Sequence, residues 1–203
     1  MSLFIESICL INGKLRNLDL HQERFNHTRA IHFPNSEIIN LSSIIQIPED
    51  LTEEKYKVRV VYGLEIELIE FVVYEQKKIN SIKFFNIDSE INYSYKSTDR
   101  SLFIDWIKET NCDDLILVQD GKITDATYSN LIFFNGTEWH TPTTYLLPGV
   151  MRQHLLNEGI IKEKDIEISD LNKYISFKRI NAMMDFDEAE TFDTELFNYK
   201  SSV

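Results

Sequence analysis

Apolar and polar positions alternate through LFIESICLI, stop at Asn12-Gly13 and resume in KLRNLDL, which predicts a β-hairpin closed by a tight turn. The period then lengthens. Leu18 to Ile31 reads as a helix with Leu20, Phe25 and Thr28 on one face and His21, Arg24 and His27 on another, limited by Pro34. SSIIQI does not decide between helix and strand, and Pro48 to Glu54 reads as a connection or short helix. KYKVRVVYG and LEIELIEFVVYE alternate again on either side of Gly63, a second hairpin. Antiparallel strands with one helix make this first part α+β.

EQKKIN, at 75–80, is the most polar short run in the middle of the chain and marks the expected division: a small α+β part at 1–75, a link at 76–80 and a larger part at 81–203. SIKFFNI follows as a strand, with a second strand end expected at INYSY. A helix is expected over Asp99 to Thr110 with Leu102, Phe103, Trp106 and Ile107. LILVQ, KIT, NLIFF and EWHTP read as strands turned at Asp120-Gly121 and Asn135-Gly136. A helix from Val150 to Glu158 starts after Pro148-Gly149 and ends at Gly159. IEISDLNKY and FKRINAMM come next, and the last ten residues read as a loosely held tail.

Composition narrows the function classes. A hydrophobic fraction of 43% in 203 residues supports a packed core, in one or two compact units. The net charge of −12 disfavours nucleic acid and anionic membrane as partners, so an anionic ligand needs local arginines and helix ends. Cys9 and Cys112 have neither disulfide-framework nor metal-ligand spacing and read as thiols in a reducing cytoplasm. The start carries Glu6 and lacks a basic region and cleavage site, so it reads as a strand and not a signal peptide. No apolar run approaches membrane-spanning length.

Candidate chemistry concentrates between Lys96 and Arg152. Lys96 is expected at a strand-to-helix junction before the capping run Ser97, Thr98, Asp99, where a cleft would lower its pKa and make it a nucleophile. Asp125, in KITDATYSN, is either a turn residue or a carboxylate for a ring nitrogen. In LLPGVMRQHLL, Gly149 lets the chain approach a ligand, and the amides of Val150 and Met151 would form an anion site at a helix start; an ordinary turn before a core helix is the competing reading. Arg24, in HQERF, is a second anion contact or a surface arginine paired with Glu23 or Asp19.

Together these segments resemble the fold-type IV pyridoxal phosphate enzymes, the class IV aminotransferase family. FIESICLINGKLRNLDLHQERF is similar to the family's opening, ITDATYSNLIFF to its TE-x-x-x-x-N-[LIV]-F, TP…LLPGVMR to its TP…LLPG[IV]xR, and RINAMM to its late Asn-Ser/Ala segment. KSTDR resembles the K-[TS]-T-x-R form of the family's aminodeoxychorismate lyases. The resemblance implies an α/β (α+β), D-amino-acid-aminotransferase-like fold of two subdomains with the cofactor between them. It also implies pyridoxal 5′-phosphate held covalently by Lys96, Asp125 at the pyridine nitrogen, and phosphate on Arg24 and the Val150 and Met151 amides. Leu147 would pack against the ring, with Asn181 and Ala182 on the phosphate or substrate side. Arg100 and Arg152 are the first candidates for substrate carboxylates, and Arg59 and Arg179 the second.

The implied reaction is elimination of pyruvate from aminodeoxychorismate to give 4-aminobenzoate. Transamination of branched-chain or D-amino acids is the alternative, and a non-catalytic homologue or partner of the amidating synthase the third. A cytoplasmic homodimer is implied, with possible association with aminodeoxychorismate synthase. The chain departs from the pattern with Asp125 where the family has Glu, Met151 where it usually has Thr, and a late start that omits the first strands.

Overall fold

The computed structural model describes residues 3–51 and 54–194. The expected tail therefore lies outside the described residues except for Thr194, as do Met1, Ser2, Thr52 and Glu53. The chain forms two compact units, Met1–Lys77 with Tyr93–Arg100, and Lys78–Asn92 with Ser101–Val203. The sequence pattern put Lys96 in the second part; by backbone contacts its segment belongs with the first.

Unit 1 is an antiparallel sheet in the order β2-β1-β3-β4. β1 (Phe4–Ile11) and β2 (Lys14–Leu15) are joined by Asn12-Gly13, both at positive φ (51° and 68°), the pair of values that a two-residue hairpin turn demands. β3 (Tyr56–Tyr62) pairs along β1 and β4 (Ile66–Val73) along β3, with a register shift at Val61/Tyr62 beside Gly63. α1 (Leu18–His32) buries His21, Phe25, Thr28 and Arg29. Leu20, expected on the inner face, is half-buried, because the i, i+4, i+7, i+8 stripe starts at His21. Phe25 and Tyr62 meet at 4.5 Å between ring centroids at the centre of this core. Only the first half of SSIIQI is helical, in the short turn α2 (Leu41–Ile44) capped by Asn40; residues 45–47 are irregular.

β2 pairs only with Leu10 and Ile11, which leaves the first half of that edge of β1 open. The Lys96 segment takes it. Ile5 N–H donates to the Lys96 carbonyl (2.9 Å), Thr98 N–H donates to the Leu3 carbonyl (2.9 Å), and Phe4 bridges Ser97. Tyr95 rests against His32 (4.5 Å) and Phe4 (6.3 Å). The expected strand at INYSY is absent: the bridge to Phe4 falls at Ser97, two residues past that segment.

Unit 2 is built on a mixed sheet. β5 (Ile82–Ile87) runs parallel to β6 (Asp114–Gln119), and α3 (Ser101–Thr110) lies between them in sequence. β7 (Lys122–Ala126) returns through Asp120-Gly121, both at positive φ. β8 (Ser129–Phe134) is the hub. β11 (Ser176–Ile180) pairs along one of its edges, while β7 meets the start and β9 (Trp139–Pro142) the end of the other. α4 (Val150–Asn157) leads into β10 (Ile161–Lys164), parallel to β9; Gly159, at φ 68°, follows the helix. β12 (Thr191–Asp193) pairs with β11. Leu131, Phe133 and Phe177 are among the buried centre of this sheet.

Candidate active site

In unit 1 the alternation of β1 points Phe4, Glu6, Ile8 and Leu10 inward, so one carboxylate enters an apolar core. Glu6 is fully buried and doubly engaged. Arg24 donates from Nε to Oε1 (3.0 Å) and from Nη2 to Oε2 (2.6 Å), and His21 Nδ1 lies 2.6 Å from Oε2. Burial raises the Glu6 pKa, but Arg24 and His21 outweigh it and bring it down to about 2. Burial is also the main influence on His21; it lowers the pKa, so the imidazole is neutral and donates from Nδ1 to the carboxylate. Arg24 is therefore neither a surface residue nor paired with Glu23 or Asp19.

Lys96 is half-buried, and its amine falls from the ordinary 10.5 to about 7. Desolvation is the largest cause, followed by the Arg24 charge; Glu6 opposes, and Arg100 and Lys57 add to the fall. At neutral pH a large share of this amine is unprotonated, which is what a nucleophilic lysine needs. Arg100 donates from Nη1 to Tyr93 Oη (3.0 Å), and Tyr93 Oη in turn donates to the Ser97 carbonyl (3.0 Å). The helix begins only at Ser101, so Lys96 sits in irregular chain rather than at a strand-to-helix junction.

In unit 2 Asp125 lies within β7, neither turn nor cap. Its Oδ2 accepts from the backbone of Leu146 (3.0 Å) and Leu147 (2.9 Å), and its Oδ1 from Asn130 Nδ2 (2.7 Å). Burial dominates and lifts its pKa from 3.8 to about 6, against the lowering effect of those hydrogen bonds and of Arg152. A carboxyl raised on folding stabilises the fold below about pH 4 and loses that contribution as pH rises through about 6. Relative to Asp125→Asn, the wild type should lose about 3 kcal/mol of unfolding free energy between pH 4 and 7. Denaturant titrations across that range check this; a constant difference would refute it.

Gly149 precedes α4, whose first-turn amides at Val150, Met151 and Arg152 have no intrahelical acceptor and form a set of donors suited to an anion. The Met151 side chain is 1% exposed and packs with Ile132, Leu155 and Ile161, so the residue standing where the family usually has Thr is a core side chain. Leu147 is half-buried, and Asn181 anchors its own turn by accepting from Met183 N–H (2.9 Å), with Ala182 half-buried beside it.

All four candidate substrate arginines have protein partners. Arg152 is 3% exposed, donates to Glu163 (2.6 Å) and the Pro142 carbonyl (3.1 Å), and lies 4.0 Å over the Tyr145 ring. Arg179 donates to buried Asp114 (2.7 Å), and Arg59 pairs across strands with Glu70. Arg100 donates to the Tyr93 phenol (3.0 Å) and lies 5.3 Å over its ring. Among the described residues no group of three or more His, Cys, Asp or Glu side chains gathers to hold a metal, and no helix is long and apolar enough to cross a membrane. The buried members that the sequence reading passed over are Glu6, His21 and Asn130. A carboxylate in phase with Phe4, Ile8 and Leu10 was the available signal for the first.

Comparison with known proteins places this geometry. Residues 94–186 match the model of the amino-transferase class IV family. A Haemophilus influenzae protein of uncharacterized function is 36% identical over 181 residues, 88% of this chain and 96% of that protein. The crystal structure of a "putative 4-amino-4-deoxychorismate lyase" from Haemophilus somnus superposes with a TM-score of 0.83 at 30% identity, over 90% of this chain and 97% of that one. The pyridoxal-phosphate-bound form of a hypothetical aminotransferase from Mycobacterium tuberculosis shares the fold, with a TM-score of 0.73 at 13% identity over 93% and 79%.

The chain belongs to the class IV aminotransferase family and has the fold-type IV architecture. It is an enzyme of that class, and its cofactor is pyridoxal 5′-phosphate. The groups in each unit suit that cofactor: in unit 1 a lysine amine poised near neutral pH and an arginine, in unit 2 a buried carboxylate and first-turn amides without an intrahelical acceptor.

Proposed function

We propose that the protein is a 4-amino-4-deoxychorismate lyase that releases pyruvate and forms 4-aminobenzoate. The observation that carries the reading is the Lys96 amine, brought to about pH 7 amid Arg24, Arg100 and Lys57 in a chain of net charge −12. A local excess of cations suits a substrate with two carboxylates and an anionic cofactor. The KSTDR segment and the likeness to the Haemophilus somnus protein favour the lyase over transamination.

When bound, pyridoxal phosphate supplies an electrophilic aldehyde and a ring that withdraws electrons. Lys96 would hold the cofactor, and its Nζ, once free, would take the proton from the amine-bearing ring carbon. The electron pair left on that carbon forms a ring double bond as the neighbouring carbon–oxygen bond breaks. The proton on Nζ goes to the departing enol oxygen, the enol becomes pyruvate, and the carbocycle becomes aromatic. In unit 1 Arg24 would contact phosphate and Arg100 a substrate carboxylate; in unit 2 the Val150 and Met151 amides would contact phosphate, Asp125 would set the charge at the pyridine nitrogen, and Leu147, Asn181 and Ala182 would line the cofactor's surroundings. The working form is a homodimer, and aminodeoxychorismate synthase is the enzyme that would supply the substrate.

The assay is pyruvate release from aminodeoxychorismate without any keto-acid acceptor. Stoichiometric pyruvate and 4-aminobenzoate are expected. Turnover that requires an acceptor would overturn the lyase in favour of a transaminase.

A further inference from the structure

Gly149 occupies ordinary backbone, φ −71° and ψ 138°, which any residue adopts. Its lack of a side chain is therefore a matter of room. A Cβ placed there would lie 1.8 Å from Asn130 Oδ1 and 3.0 Å from Asn130 Cγ. The space beside Gly149 is taken by Asn130, not left for a ligand, which corrects the expectation for this glycine.

Asn130 sits on β8 in register with Asp125 on one side and Ile180, next to Asn181, on the other. Its Nδ2 donates to Asp125 Oδ1 (2.7 Å) and to the Leu147 carbonyl (2.9 Å). A carboxylate and a carbonyl both need donors, which orients the amide and turns Oδ1 toward Gly149. Asp125 meanwhile accepts from the Leu147 N–H. Leu147 is thus gripped at N–H by the acid and at C=O by the asparagine, two residues before Gly149 caps α4.

We propose that Asn130 is the positioning residue of the cofactor half-site in unit 2, tying the Asp125 carboxylate to the Leu147–Gly149 turn, and that position 149 is glycine to admit it. This rests on the cofactor reading above but holds for lyase and transaminase alike. Asn130 touches none of the reacting atoms. It fixes the direction of the Asp125 carboxylate and the start of α4 together, so that the acid and the anion-binding amides are set by one side chain.

The test is a double-mutant cycle in the full chain with Asn130→Ala, Gly149→Ala and the pair, reading pyridoxal phosphate affinity by titration and thermal stability without cofactor. Gly149→Ala alone should weaken cofactor binding at least ~10-fold; added to Asn130→Ala it should change binding less than ~3-fold, because the methyl then enters the vacated space. Equal cost in both backgrounds would overturn the proposal. The second reading is the pH midpoint of the bound cofactor's visible absorption. Asn130→Ala should move it by more than ~0.5 unit, while Leu131→Ala, a core truncation on the same strand, lowers stability without moving it. A midpoint that is unmoved by Asn130→Ala, or moved equally by both, would also overturn it. A wild type that takes up no cofactor would instead sink the reading under Proposed function, and a wild type that binds cofactor but releases no pyruvate would sink the lyase alone.

Discussion

Lys96→Ala should reduce turnover by roughly 10⁴-fold or more and remove the borohydride-fixed attachment of cofactor, while weaker noncovalent binding remains. The effect is large because, in the proposed reaction, one amine serves as both the covalent anchor and the acid–base group. The amine at about 7 makes the pH dependence specific. The rate at which apoprotein captures pyridoxal phosphate should rise with pH through about 7 and level off above it, as the free amine accumulates. An unperturbed lysine would give a rise continuing toward 10.5. Stopped-flow absorbance after mixing measures the midpoint, and mass spectrometry of reduced protein locates the label. A midpoint near 10, or a label on another lysine, would refute the assignment.

Periodicity carried most of the elements. The hairpin at Asn12-Gly13, the strands from β6 to β9 and α4 between Gly149 and Gly159 were legible because turn chemistry and alternation agree there. INYSY misled: its aromatic residues suit a strand, but Tyr95 packs against His32 of α1 and Phe4 of β1 while Tyr93 lies under Arg100, and pairing is a tertiary outcome that propensity does not contain. The same limit applies at the site. Lys96, Asp125 and the turn before α4 came from motif order, whereas the partners that tune them come from strand register. Asn130 faces Asp125 across β7 and β8, and Glu6 meets Arg24 over 18 positions. Arg152 shows the converse. The motif suggested a substrate ligand, and the fold supplies Glu163 and Tyr145 instead.

Glu6→Gln should cost about 3–5 kcal/mol at pH 7, the range for breaking a buried ion pair on one side. Glutamine keeps the volume but removes the carboxylate charge that faces the Arg24 guanidinium, whose side chain is 10% exposed. Linkage gives a similar figure. The Glu6 pKa falls from 4.5 to about 2 on folding, a shift worth roughly 3 kcal/mol. Because the folded value is depressed, this stability is present above about 4.5 and lost as pH falls through about 2, so the wild type and Glu6→Gln should converge in acid. Urea unfolding at pH 7 and pH 3 reads the difference; a cost below ~1 kcal/mol at pH 7 would mean that the pair contributes little. The same variant reaches the chemistry. Desolvation, then Arg24 and Arg100, drive the fall in the Lys96 pKa, and Glu6 opposes it. Without Glu6 the midpoint of cofactor capture should move below 7, whereas a variant that merely loosened the core would expose Lys96 to water and move it up. The direction of that shift separates an electrostatic role of Glu6 in tuning the lysine from a purely architectural one.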